Sequence, residues 1–292
     1  MPRLTLESDT DFFDLDCLLT QDTGVQALSG VTGLGLPPVA GQWIEGAGNG
    51  SSFRGKRYLS RDIDIPLLVA GGNRAGLIAL TMRLTRLFEG APILRFVEDA
   101  PNSPNWSCEV RRVGGGSYVY GVDTNGERDL SLVITVRSGD PFFTSSQTIR
   151  KTIGGGGIPA APRSLLPKLS ALRVSSSQAL GTIDLDNTSS SVDSFPVWKV
   201  YGPGSDFRAI SPSGEALVWR GTLAVGETLT IDAKRGSVID GLGVNRYSLL
   251  DAAPRFWTIP EGFSTAVASL ENITPGISQV DCTWSPRRGM MI

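Results

Sequence analysis

What most constrains this chain is how little helical periodicity it contains. Among its 292 residues one stretch, Asn73 to Gly90, clearly repeats its apolar side chains at spacings of three and four. Elsewhere apolar residues alternate with polar ones, or come in short runs cut by glycine and proline. Successive side chains of a strand point to opposite faces, so a period of two is a sheet pattern. The clearest case is Asp129–Arg137, with Leu130, Leu132, Ile134 and Val136 on one face and Ser131, Val133, Thr135 and Arg137 on the other. In Arg57–Val69, Arg61, Ile63 and Ile65 share a face opposite Asp62 and Asp64. Further strands are expected at Ile93–Glu98 and Ser107–Val113. Gly24–Gly50, which contains Pro37-Pro38, reads as loops and short edge strands.

The helical stretch has its own punctuation. Asn73 is placed to cap it, and Leu77, Leu80, Leu84, Leu87 and Phe88 fall within roughly 100° of arc. Gly90 is placed to end it in a left-handed conformation, and Pro92 prevents its continuation. The leucine stripe predicts a helix over about 73–89 packed on a sheet.

Ile153–Pro167 reads IGGGGIPAAPRSLLP, in which four glycines give freedom and the later prolines stiffen the path. It lacks the G-x-x-x-x-G-K-[ST] and G-x-G-x-x-G spacings of phosphate cradles. We read 153–167 as a linker between an N-terminal domain, 1–152, and a C-terminal domain, 168–292. Beyond the linker, strand-like pieces at Gly181–Asp186, Val197–Tyr201, Ala216–Trp219, Thr228–Asp232, Arg255–Ile259 and Gln279–Trp284 alternate with turn signals. Regular short strands so punctuated indicate a β-sandwich or jelly roll. Glycine and proline make up about 18% of the chain, against about 12% in average usage and about 25% or more in low-complexity chains. With 40% hydrophobic residues, the excess points to turns rather than disorder.

Several chemistries drop out. There is no histidine, which removes Ser-His-Asp triads, Cys-His dyads and the usual histidine metal sites. Paired carboxylates remain conceivable, with Asp184, Asp186, Asp232 and Asp240 as the carboxylates on offer, each more readily a solvated or turn-stabilising residue. The acidic run Asp9, Asp11, Asp14 and Asp16 lacks the spacing and glycine of a calcium loop. Cys17, Cys108 and Cys282 are far apart and form no C-x-x-C pair; reduced, mostly buried thiols are expected. A net charge of −2 without a basic block argues against nucleic-acid binding. Met1–Thr20 lacks the pattern of a signal peptide, and no apolar run approaches the ~20 residues of a membrane span. The expectation is a soluble chain synthesised in a cytoplasm, without catalytic residues, cofactor or metal.

Aromatics leave two openings. Trp198, Trp219, Trp257 and Trp284 lie in apolar strand-like pieces, where core filling is expected and sugar stacking is the alternative; Trp198, Trp219 and Trp257 are the candidate carbohydrate contacts. Asp140, Pro141, Phe142 and Phe143 follow the best strand. The two phenylalanines either contact a neighbouring subunit or anchor the linker on their own domain.

The order of these features resembles the distal tail (Dit-type) or minor tail proteins of siphophages. Three stretches carry the resemblance: Arg61–Val69 followed by the helix to Gly90 and the strand from Pro92; Leu130–Arg137 running into Asp140-Pro141-Phe142; and Pro196–Gly202, Ser213-Gly214, Gly226–Asp232 and Phe256-Trp257 leading to Pro260-Glu261-Gly262. Glu261 interrupts the family's usual Pro-Gly, and Ser103–Asn125 matches no part of the pattern. The resemblance implies a mainly β chain: an N-terminal β-sandwich-like ring domain with one amphipathic helix, and a C-terminal galectin-like β-sandwich. It implies a virion component at the tail tip, closing into a homohexameric ring. Its partners would be the tail tube protein, the tail-tip or baseplate hub protein and the tape measure protein, with a receptor-binding protein or host glycan as further contacts. The alternatives are a carbohydrate-binding module, a cell-wall glycosidase or another baseplate or minor tail protein.

Overall fold

The computed structural model describes residues 3–118, 126–154 and 178–291. The chain forms two compact units, one comprising residues up to Gln147 together with those from Arg288 onward, the other Thr148–Arg287. The crossing at Gln147–Thr148 comes before the stretch read as a linker. Of 153–167 only Ile153 and Gly154 are among the described residues, and both lie in a strand of the second unit.

The first unit contains β1 (Arg3–Glu7), β2 (Phe12–Asp14), β3 (Gly24–Ala27), β4 (Val39–Glu45), β5 (Ser51–Tyr58), β6 (Arg61–Ala70), α1 (Arg74–Glu89), β7 (Ile93–Val97), β8 (Trp106–Glu109), β9 (Arg111–Gly115), β10 (Asp129–Ser138) and β11 (Phe143–Ser145). The two best alternating segments pair with each other. β6 and β10 run antiparallel with Ile65 opposite Ile134 and Ile63 opposite Val136, and all four of these side chains are buried. Together with β3 and β9 they form a four-stranded sheet. A six-stranded sheet has the order β2-β1-β7-β8-β11, closed by the late strand β21 (Arg287–Arg288). The core joins both sheets to Leu77, Leu84, Leu87 and Phe88 of α1, with Leu80 packed at its margin.

α1 starts as its sequence predicts: the Asn73 side chain accepts a hydrogen bond from the Gly76 amide at 2.9 Å. Its end differs. Gly90 has φ −86° and ψ −153°, so it leaves the helix extended rather than left-handed. Pro92, two residues on, favours extended backbone as the chain enters β7. The expected strand Ser107–Val113 also differs, because it breaks at Val110. Val110 is buried and its amide bonds to the Pro92 carbonyl, which sends β8 and β9 into different sheets.

The second unit contains β12 (Ile149–Gly154), β13 (Gln178–Asn187), β14 (Val197–Tyr201), β15 (Gly204–Ile210), β16 (Ala216–Leu223), β17 (Thr228–Asp232), β18 (Ser237–Asp240), β19 (Gly262–Glu271) and β20 (Gln279–Trp284). They form two antiparallel sheets, β12-β20-β14-β17-β18 and β13-β19-β15-β16, which share one buried core. This is a β-sandwich. Arg255–Ile259, expected as a strand, contributes only the bridge of Ile259 to Ser194. The long strand β19 and the strand β15 were not expected, since Gly262–Glu271 and Gly204–Ile210 carry many small or polar residues that do not stand out as a strand pattern.

Candidate assembly surface

The side chains on which catalysis or metal binding could have rested are used for structure. Asp240 accepts from the Leu242 and Val244 amides at 3.0 and 2.9 Å and from Arg246 Nε at 2.9 Å. The Val244 amide and Arg246 hold its carboxyl below the usual carboxylate range. Asp232 caps the next turn through the Lys234 and Arg235 amides, and Asp186 accepts from the Thr188 hydroxyl and amide. These carboxylates do not converge. Asp232 and Asp240 lie at opposite ends of the β17–β18 pair, while Asp184 and Asp186 belong to the other sheet. In the acidic N-terminal run, Asp11 binds Arg83, Asp14 binds Arg3 and Asp16 accepts from the Leu4 amide. Among the described residues no group of three or more His, Cys, Asp or Glu is arranged to hold a metal ion. Burial pushes the Cys108 thiol up to about 12, so at neutral pH it is a packing residue.

The tryptophans offered as sugar contacts lie inside the sandwich. Trp198, Trp219 and Trp257 are all buried. Trp198 packs edge-on against Trp257 with ring centroids 5.7 Å apart, and the Trp257 indole N–H donates to the Ala209 carbonyl at 3.3 Å. Trp219 lies across Gly221, where a Cβ would come within 2.1 Å of its ring. No face of these three rings is open for a sugar to stack on.

The Asp140–Phe143 segment is also turned inward. Phe143 is 2% exposed and lies under the Arg61 guanidinium, 4.7 Å from the ring centroid. Phe142, 9% exposed, meets the Tyr58 ring edge-on at 4.9 Å. Asp140 Oδ1 accepts from the Phe142 amide and fixes the turn. The aromatic pair thus packs against side chains of its own unit.

The exposed apolar surface lies elsewhere, on a feature the sequence reading passed over. β4 and β5 form a two-stranded sheet that bonds to no other sheet among the described residues. They pair from Val39 opposite Tyr58 to Glu45 opposite Ser51, with a bulge between Gln42 and Trp43. Trp43 is 61% exposed and Phe53 51%. The two rings meet at 5.0 Å and 61°, holding each other without a core beneath them. Val39 and Ile44 of β4 are exposed as well, and Arg54, Lys56 and Arg57 make β5 basic. A lone hairpin is marginal in water, and apolar area left in water forgoes about 25 cal/mol per Å². An exposed aromatic pair on such a hairpin is a candidate interaction surface. The local signal was Asn49-Gly50 followed by SSFRGKRY. It is weak, because β4 itself has no alternation and contains Gly41.

Two such units, one with a helix packed on its sheets and one a β-sandwich, recur in solved structures of phage tail proteins. Across its whole length the chain resembles the Dit protein of phage SPP1, described as a paradigm of the hub adsorption apparatus of phages infecting Gram-positive bacteria. The TM-score is 0.65 at 12% identity, covering 97% of this chain and 98% of that one. Two structures of the phage P2 baseplate in its activated conformation, with calcium and with strontium, each contain a chain that matches at TM-score 0.50. Identities are 11% and 10%, and coverage is 97% of this chain and 98% of theirs. No family model matches the sequence, and no curated protein does. The mainly β fold is therefore shared with these structures at a level where sequence similarity has almost vanished. Among the described residues no helix is long and apolar enough to cross a membrane.

Proposed function

We infer that this chain is a non-enzymatic structural subunit of the tail tip of a long-tailed phage, and that copies of it close into a hexameric ring joining the tail tube to the baseplate. The observation that carries this reading is the free hairpin β4–β5, with Trp43 and Phe53 in solvent on a chain whose fold is that of a tail hub. A closed ring of identical subunits uses heterologous contacts, in which one surface of each copy meets a different surface of the next. An extended hairpin that pairs with no other sheet among the described residues is suited to that contact. The first unit, 1–152 in the sequence reading, is the ring-forming part, and the sandwich contacts tail-tip or receptor-binding components. The tail tube, hub and tape measure proteins are the other partners of such a ring. The inward tryptophans speak against sugar stacking by Trp198, Trp219 or Trp257.

The test is the solution mass of the purified chain, with negative-stain images at several concentrations. Six-fold rings with a central hole are expected, and Trp43→Ala with Phe53→Ala should shift the population toward monomer without loss of fold. A parent chain that remains monomeric at every concentration overturns the ring reading.

A further inference from the structure

One buried cation ties the hairpin to the far end of the sequence. Arg61 is 1% exposed at the start of β6, on the face it shares with Ile63 and Ile65. Among the described residues its guanidinium meets no carboxylate. It donates instead to four carbonyls, those of Gly33, Gly35, Pro141 and Gly289, at 2.5 to 2.9 Å. Burial pulls its pKa down, yet a guanidinium remains charged at any physiological pH. A buried charge of this kind is tolerated because its N–H groups are matched by oriented dipoles, and each lost acceptor leaves a donor stranded.

The acceptors define the root of the hairpin. Gly33 and Gly35 lie just ahead of Pro37-Pro38 and β4, while Arg61 itself lies three residues beyond the end of β5. The two legs are joined again by the Leu59 amide bonding to the Pro38 carbonyl at 2.9 Å. Gly33 is held at φ +85° and a Cβ there would come within 2.1 Å of the Asp62 carbonyl oxygen, so this leg sits directly on β6. The segment after β20 grips the same leg twice. Gly289 shares the Arg61 guanidinium with it, and the Met291 amide donates to the Leu34 carbonyl at 2.9 Å. The Met291 side chain enters the first unit's core, and Arg288 lies over the Trp106 ring at 4.2 Å.

We propose that Arg288–Met291 is a clasp: by docking on Arg61 and Leu34 it fixes the root of the β4–β5 hairpin, so the hairpin reaches its assembly-ready pose only after the whole second unit has been translated. This rests on the reading of the hairpin as the subunit contact and adds its control. Incomplete chains would carry a hairpin with a loose root, and ordering it on binding would weaken association. The device keeps truncated subunits out of a ring.

The experiment compares the full chain with one ending at Arg287, reading backbone hydrogen exchange and association state. In the shortened chain the Leu59 amide is expected to exchange faster by on the order of tenfold or more, with the β17–β18 amides unchanged and association lost. Unchanged protection at Leu59 overturns the clasp, and so does a shortened chain that associates as well as the full one. If the deletion also opens β6, Met291→Ala decides: faster exchange at Leu59 with β6 protected supports the clasp, and no change overturns it. A full chain that is itself monomeric sinks the ring reading instead, while exchange at Leu59 still judges the clasp.

Discussion

The sandwich and the hairpin use the same residue types in opposite ways. In the second unit Trp198, Trp219, Trp257 and Trp284 are enclosed between two sheets, where each ring is covered by its own chain. In the first unit Trp43 and Phe53 stand on a two-stranded sheet with solvent on their faces. Burial of an aromatic ring is a major source of stability wherever it occurs. The sandwich realises that stabilisation on folding, whereas under the proposed function the hairpin would realise it on association. The same substitution should therefore change a different observable in each place.

The largest expected effect is in the sandwich. Trp198→Ala should destabilise the second unit by about 3–5 kcal/mol, the usual cost of emptying a large core site. Trp43→Ala should leave monomer stability within about 0.5 kcal/mol while weakening self-association by about tenfold or more. Denaturant unfolding and sedimentation read the two quantities, and a Trp43→Ala chain that unfolds early but associates normally would reverse the comparison.

A middle-sized effect concerns charge in the sandwich. Asp281 is buried and accepts from Arg150 at 2.5 Å, Thr152 at 2.7 Å and Gln279 at 2.8 Å. Burial alone would raise its pKa, but the bonds from Thr152, Arg150 and Gln279 outweigh it and hold the carboxyl below its usual range. A group depressed on folding stabilises above its unfolded pKa, about 3.9, and that stability is lost as pH falls through the folded value. Asp281→Asn should cost about 1–3 kcal/mol at neutral pH, with the difference from the parent shrinking below about pH 4. A cost that stays constant with pH would show that the carboxylate charge contributes nothing.

The smallest effect separates two buried indoles. Trp257 donates to the Ala209 carbonyl, whereas the Trp284 indole N–H has no partner among the described residues. Trp257→Phe removes a hydrogen bond, and Trp284→Phe removes only an N–H that has no partner among the described residues. The first should therefore be the more costly by about 1 kcal/mol, as read by paired thermal melts.

The sequence by itself determined the elements whose environment follows from local period. The β6 and β10 strands, α1 with its Asn73 cap, and the succession of short strands after the glycine-rich stretch were legible because a face that must be buried imposes its own spacing. It also carried one anomaly in plain view, a charged Arg61 on the same face as Ile63 and Ile65. Which surfaces meet was settled by long-range packing. Val110 splits one apolar run between two sheets, and Phe142 and Phe143 turn inward onto Tyr58 and Arg61. The β4–β5 hairpin joins no other sheet among the described residues. Gly289, which lies 228 positions from Arg61, supplies one of its acceptors. Periodicity is a property of neighbours in sequence. Burial, pairing and the satisfaction of a buried charge depend on partners distant in sequence, which the local pattern does not encode.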